Sequence, residues 1–462
     1  MTLISRMVVL VLLMAAIVGC SEQESETEAA ARQLETARKL NSLPYVTTPK
    51  VREENKGLRG VITHEKNQTY QGLNLYGSLG KQAAHLRDMD GNLIHTWTSE
   101  GVFDGRDKFP LGSKILDQVD VVAPGLQVAE MHGEHLLAIE TFSGLVKLDH
   151  ESQVVFAIPN HAHHDLDMAS DGTMYVLTAA PREVETNSAS IMIIDDVIQK
   201  IAPDGTTLQQ VSLFEILAEN QTTRPLLGEA IRQARHWFSN MDQWQAARIQ
   251  EKPEARSAYE AMFELYDEAF VKKTRELSVS DQLYTLLPTP ADILHSNTVD
   301  VLSGRPDGLW QEGHVLVSVR NLDLIFVVDL DARQIVWLWG PGELSRQHQP
   351  SVLANGNLLI FDNRTTKGQS RIVELAPETN EIVWTYGETP ETRFFSSAMG
   401  GVQGLPNGNV LITESSAGRA FEVNREGEVV WDFFNPEQGY NPFAGGDDEV
   451  IGSIYRVVRV ER

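Results

Sequence analysis

Two histidines occupy one position of a repeated phrase. His164 lies in HHDLDMA, seven residues before the turn residue Asp171 of SDGTMYVLT. His348 lies in HQPSVL, seven residues before Asn355 of ANGNLLIFD. The phrases are copies, so the two side chains leave equivalent points of two structural units. A third copy, HSNTVDVL, places Asn297 five residues before Leu302, the counterpart of Leu353, and His295 stands two residues earlier. Ahead of a fourth, PNGNVLITE, the same count reaches Gly400. Arg320 closes GHVLVSVR, a strand of the His295 unit. His163, next to His164, is passed over by the count.

Several imidazoles with one guanidinium fit two chemistries. Metal binding needs three or four ligands and little competing positive charge. Transfer of an anionic group uses a histidine as nucleophile and cations to stabilise the transferred charge. Arg320 favours the second, because its planar fork suits an oxyanion and would repel a metal. The sequence has no HExxH, paired-carboxylate, P-loop or GxSxG motif. The expectation is therefore no metal and no cofactor.

The element that must bring these residues together is a radial repeat. One phrase occurs six times: HLRDMDGNLIHTW, LVKLDHESQVVFAI, IQKIAPDGTTLQQVS, FVVDLDARQIVWLWG, IVELAPETNEIVWTYG and FEVNREGEVVWDFF. Alternating apolar residues give one buried face, and Asp, Asn and Gly supply the turn conformations of a hairpin. A second strand precedes each phrase and a shorter segment precedes that. Each unit thus reads as four antiparallel strands, one blade of an all-β, six-bladed β-propeller. Trp337, Trp384 and Trp431 recur every 47 residues and read as packing between blades. The first unit lacks an innermost strand, and SIYRVVRV (453–460) is left over, so it is expected to close the ring. Innermost strands line the axis, which is where the repeat would gather the histidines.

One stretch, about 214–287, breaks the repeat. Apolar spacing through Ile231, Ala234, Phe238 and Met241, then Tyr259 to Phe270, is helical, with Pro253 between two helices. It reads as a helical insertion in the fourth-blade region, acting either as a lid or as a buttress or oligomer contact.

The 462 residues carry a net charge of −25, which argues against nucleic-acid binding. Arg6, the apolar run Met7–Val18 and then Gly19-Cys20 read as a signal peptide over 1–20, too short to span a bilayer comfortably. The end of that run resembles the lipobox of bacterial lipoproteins, so Cys20, the only cysteine, is the expected lipidation site. Ser21 after it favours the outer membrane over the inner. Residues 21–60 are a polar tether and 61–462 the propeller. The expected protein is exported and lipid-anchored on the periplasmic side of the membrane.

The phrases DILHSNTVDVL, VLVSVRNLDLIFVVD, RQHQPSVLANGNLLIFDNR and GNVLITESSAGRAFEVNREGEVVWDFFNP resemble the bacterial arylsulfotransferases over about residues 70–460. The resemblance implies an exported six-bladed propeller that moves a sulfuryl group from an aryl sulfate ester to a phenolic acceptor. It implies a sulfated histidine intermediate and no nucleotide donor. His348 matches the family's nucleophile. His295, Asn297 and Arg320 match its sulfate-binding and charge-stabilising positions, and His164 its remaining channel histidine. The well-known members carry an N-terminal β-sandwich and a disulfide. Here only the tether precedes the repeat, and a single cysteine allows no intramolecular disulfide. Two other readings remain at this point: an aryl sulfate hydrolase, and a non-catalytic lipid-anchored propeller that binds a partner or a sulfated ligand. Oligomeric state is left open.

Overall fold

Each repeat phrase folds as the alternation of its apolar residues requires, as a hairpin with one face in a core. The computed structural model describes residues 55, 57–78, 81–103, 125–186, 190–239, 291–437 and 452–461. The chain begins with β1 (Gly60–His64) and then enters blade 1 with β2 (Leu73–Ser78), β3 (Ala83–Arg87) and β4 (Leu93–Thr98). Blade 2 is β5 (Leu126–His132), β6 (His135–Glu140), β7 (Gly144–Leu148) and β8 (Val154–Ile158). Blade 3 is β9 (Ala162–Met168), β10 (Met174–Glu185), β11 (Ser190–Ile201) and β12 (Thr207–Ser212). Helices α1 (Leu213–Glu219) and α2 (Arg224–Ser239) follow. Blade 4 is β13 (Ser296–Val301), β14 (Val315–Val319), β15 (Leu324–Asp329) and β16 (Gln334–Trp339). Blade 5 is β17 (His348–Val352), β18 (Leu358–Asp362), β19 (Arg371–Ala376) and β20 (Glu381–Tyr386). Blade 6 is β21 (Gly401–Gly404), β22 (Val410–Glu414), β23 (Arg419–Val423) and β24 (Val429–Phe434), and β25 (Ile454–Val460) comes last.

The chain is a six-bladed β-propeller: among the described residues six antiparallel sheets form, one per blade. All six repeat phrases are the outer hairpins of their blades. β25 supplies the innermost strand of blade 1, pairing with β2 from Leu73↔Val460 to Ser78↔Ile454. A second closure was not foreseen. β1 adds a fifth strand to the outside of blade 6, pairing antiparallel with β24. Both ends of the described propeller chain are thus tied across the same junction, between blades 6 and 1.

Blades are stapled by the tryptophans. The indole N–H of Trp337 donates to Pro377 O at 3.1 Å, that of Trp384 to Arg425 O at 3.3 Å, and that of Trp431 to Met89 O at 2.9 Å. Each acceptor lies in or beside the outer-hairpin turn of the next blade, so the 47-residue period is one repeated contact. Blades also approach closely without side chains. A Cβ at Gly77 in β2 would lie 2.0 Å from Leu126 O of blade 2, so only glycine fits there.

The insertion leaves the ring between β12 and β13, after the outermost strand of blade 3 and before the innermost of blade 4. Ser212 caps α1, its hydroxyl accepting from Glu215 N. Leu213, Ile216 and Leu217 of α1, with Leu227 and Ala234 of α2, join the core shared by blades 3 and 4. Arg182 of β10 and Arg333 of the blade 4 outer turn both bond to Glu215. These two helices are therefore a buttress. Met241, Pro253 and the Tyr259–Phe270 series lie outside the described residues, as do the signal segment, Cys20 and the tether up to residue 54.

Candidate active site

The blades share one register. In each, a bulge interrupts the third and fourth strands just before Arg87, Leu148, Ile201, Val328, Leu375 or Val423. Those residues pair with the second strand, and through it with Arg459, Met131, Met168, Val301, Val352 and Gly404 of the innermost strands. Four residues before these stand Tyr455, Gln127, His164, Asn297, His348 and Gly400. The register therefore puts His164, Asn297, His348 and Gly400 at one level of the axis, and adds Tyr455 and Gln127. Gly400 can carry no side chain. Its φ is +145°, and a Cβ would lie 2.5 Å from the Phe361 ring.

His348 is buried at the start of β17. Its Nδ1 lies 2.7 Å from Asn363 Oδ1 and 3.1 Å from Arg346 O. Both partners are acceptors, so Nδ1 carries the proton and Nε2 the lone pair. Among the described residues Nε2 makes no hydrogen bond. Burial, helped by the Arg320 charge, pulls the imidazole down to about 3. The His348 ring is therefore held neutral, with Nε2 fixed as its unprotonated nitrogen by the bonds at Nδ1.

His164 and His295 meet edge to face, ring centroids 4.7 Å apart. They are backed differently. His295 Nδ1 donates to Asp292 Oδ2. His164 Nδ1 lies 2.7 Å from Nδ1 of His163, one donating and the other accepting. His163 Nε2 in turn lies 3.5 Å from Asp196 Oδ1, while Asp196 Oδ2 accepts from Ser296 N at 2.6 Å. Burial, then the His295 and His163 charges, hold His164 well below the usual imidazole range. Burial brings His163 down to about 4. The two carboxyls split. Burial and the Asp292 charge push Asp196 well above its usual range. At Asp292 burial acts the same way, but His295, His163 and Arg320 outweigh it and hold the carboxyl low. The surroundings thus drive the two carboxyls in opposite directions, Asp196 towards its protonated form and Asp292 towards its charged form.

Two guanidiniums converge beside these rings. Arg320, fully buried, donates from Nη1 to Asn321 Oδ1 at 2.8 Å, and Arg346 Nη1 donates to the same oxygen. Asn321 Nδ2 donates onward to Asp292 O at 2.6 Å. Asn297 Nδ2 donates to Gln347 O at 2.9 Å, tying blade 4 to the residue before His348. An amide nitrogen has two donors, so one N–H of Asn297 remains for a ligand. Phe142 stacks on His163 at 5.2 Å and Tyr455 meets His164 edge-on at 6.2 Å, which gives the site aromatic walls.

Farther along the same strands the axis opens into a cavity of about 200 Å³. Glu130, Asp165, Asp167 and Asp300 line it with Arg456, which donates to Asp165 at 3.0 Å and to Glu130 at 2.8 Å. Burial pushes Glu130 up to about 8, Asp165 to about 6 and Asp300 well above the usual carboxyl range, so this chamber favours protonated carboxyls beside Arg456.

The structure thus gathers His164, His295, Asn297, Arg320 and His348. Sequence counting missed Asp292, Asn363, Asn321 and Arg346. Two had signals. Asp292 stands three residues before His295 in DILHSN. Asn363 lies five residues after Leu358, as Arg320 lies five after its counterpart Val315, so the repeat already pairs them.

A propeller that gathers buried imidazoles and two guanidiniums at its axis defines a class of protein, one whose site has the chemistry to take an anionic group. The chain belongs to the arylsulfotransferase family. Two models of that family match it, one over residues 60–345 and the other over residues 257–436. No curated protein matches it significantly. Among solved structures it is similar to a protein of unknown function from Bacteroides caccae, at 12% identity and a TM-score of 0.44, covering 84% of this chain and 98% of that one. It is also similar to a streptogramin B lyase, at 10% identity and a TM-score of 0.40, covering 83% and 84%. For a virginiamycin B lyase from Staphylococcus aureus the values are 11%, 0.34, 68% and 71%. Likeness at this level adds nothing to what the blades themselves show. The family implies small-molecule substrates, aryl sulfates and phenols.

Proposed function

We propose that the protein transfers a sulfuryl group from an aryl sulfate ester to a phenol by way of a sulfated His348. The observation that carries this reading is the fixed tautomer of His348. Asn363 and the Arg346 carbonyl hold Nδ1–H, which presents the Nε2 lone pair beside Arg320. Nε2 attacks sulfur as the aryl oxygen departs. Arg320, Arg346 and the spare N–H of Asn297 receive the sulfuryl oxygens, whose charge is spread in the transition state. His295 or His164 serves the departing and entering phenol oxygens as acid and base. A phenolate is a better leaving group than an alkoxide, so positioning, electrostatics and one proton transfer suffice. The protein acts outside the cytoplasm, held through acylated Cys20 on the periplasmic side of the outer or inner membrane.

The test uses protein lacking residues 1–20, a chromogenic aryl sulfate, and a phenol acceptor present or omitted. Acceptor-dependent release that disappears in His348→Ala supports transfer. Equal release without acceptor means hydrolysis. No release from folded protein across several donors means a binding propeller.

A further inference from the structure

The reading above leaves two histidines as candidates for the proton donor. We propose that Asp292 is the positioning residue that makes His295, and not His164, the acid for the departing phenol. The inference rests on the transferase reading. Its geometric basis is the pair of different supports behind two rings that touch. His295 Nδ1 donates to the Asp292 carboxylate, and the ring and the carboxylate are both buried. A second proton on Nε2 then creates an imidazolium whose charge is met at once by a carboxylate. Among the described residues His295 Nε2 makes no hydrogen bond, so it is the nitrogen left for substrate. Among the described residues His164 has no carboxylate partner of this kind. Its Nδ1 is engaged with another imidazole, His163, whose far nitrogen faces Asp196.

The surroundings reinforce the difference. The groups facing the Asp292–His295 pair are His163, His164, Asp196, Arg320, Arg346 and His348. The nearby carboxyl that could compete for charge, Asp196, is the one driven to keep its proton. Asp292 is itself immobilised. Its carbonyl accepts from Asn321 Nδ2 at 2.6 Å, and the same Asn321 is gripped by Arg320 and Arg346.

The step balances. The Nε2 lone pair of neutral His348 forms the N–S bond. The S–O bond to the aryl group breaks with its electron pair going to oxygen, and the Nε2 proton of His295 passes to that oxygen. Aryl sulfate anion and imidazolium become phenol and neutral His295, and the N-sulfo imidazolium of His348 is a zwitterion. In the second half the acceptor O–H proton returns to His295 Nε2. The new O–S bond forms as the N–S pair returns to His348.

Donor acidity tests the assignment. Phenyl sulfate leaves as a basic phenolate that needs a proton, whereas 4-nitrophenyl sulfate does not. In Asp292→Asn, kcat/KM is expected to fall about 100-fold or more with phenyl sulfate, as loss of general acid catalysis gives, and by under about 10-fold with 4-nitrophenyl sulfate. Equal loss with both donors reduces Asp292 to a structural residue and overturns the proposal. So does an unequal loss in His164→Gln that His295→Gln lacks. That second comparison decides the matter if Asp292→Asn does not fold by circular dichroism. If the wild-type protein turns over neither donor, it is the transferase reading that fails.

Discussion

At the scale of residues, the account turns on a neutral histidine in a cationic corner. Because burial and Arg320 bring His348 down to about 3, its folded pKa lies below that of a free imidazole, ~6.5. Between those values the unfolded chain binds a proton that the folded chain excludes. His348 therefore contributes stability above the free value that is lost as pH falls. For the same reason kcat/KM is predicted to show no loss from nucleophile protonation between pH 7 and 5, which a pH–rate profile with 4-nitrophenyl sulfate will check. Arg320→Ala is predicted to lower kcat by ~100- to 1,000-fold, as loss of an oxyanion donor does. Arg320→Lys should recover only part, because an ammonium does not reproduce the planar fork. The sequence disclosed His164, Asn297 and His348 because they share a repeat position, and Arg320 by its place in the strand phrase. Asp292 was within reach through its place three residues before His295, but Asn321 and Arg346 were not. Those two lie in turn segments outside the repeated phrase, where only the fold brings them together.

At the scale of elements, the outer hairpins were legible because alternation and turn residues fix both strand and register. The β1 strand was not. GVITH is short, belongs to no repeat copy, and finds its partner β24 across the whole length of the chain. The staple at that junction is testable. Trp431 is fully buried, so Trp431→Ala is predicted to cost ~3–5 kcal/mol. Trp431→Phe, which keeps much of the bulk and loses the bond to Met89 O, should cost less, ~1–3 kcal/mol. Chemical denaturation of both variants reads the difference. In the axial chamber the sign of pH dependence reverses. Burial raises Asp165 to about 6, so the folded state keeps a proton that the unfolded state loses. That contribution is present below ~4, the free carboxyl value, and is lost as pH rises through about 6. Thermal melts of Asp165→Asn against wild type should move in favour of the variant between pH 4 and pH 8. A constant difference would contradict the assignment.

At the scale of the whole molecule, the propeller brings single residues from separate blades to one level of its axis, and the double closure ties blade 6 to blade 1. Deleting residues 453–462 removes the inner strand of blade 1 together with Tyr455 and Arg456. It is predicted to abolish cooperative unfolding, whereas a cut before residue 55 should leave the melt unchanged. The proposed anchor predicts that the full chain sediments with membranes and that Cys20→Ala is recovered in the soluble periplasmic fraction. The insertion was legible as helical but not in its role. Helical periodicity says which face is apolar, and the structure of α1 and α2 shows what covers it, the core between blades 3 and 4. The central claim is covalent, and one measurement reaches it directly. The protein is mixed with an aryl [35S]sulfate in the absence of acceptor, quenched in alkali and digested. The account predicts label on the peptide containing His348, absent from His348→Ala and discharged when a phenol is added before the quench. Steady turnover with no labelled protein, or label on another residue, would contradict it.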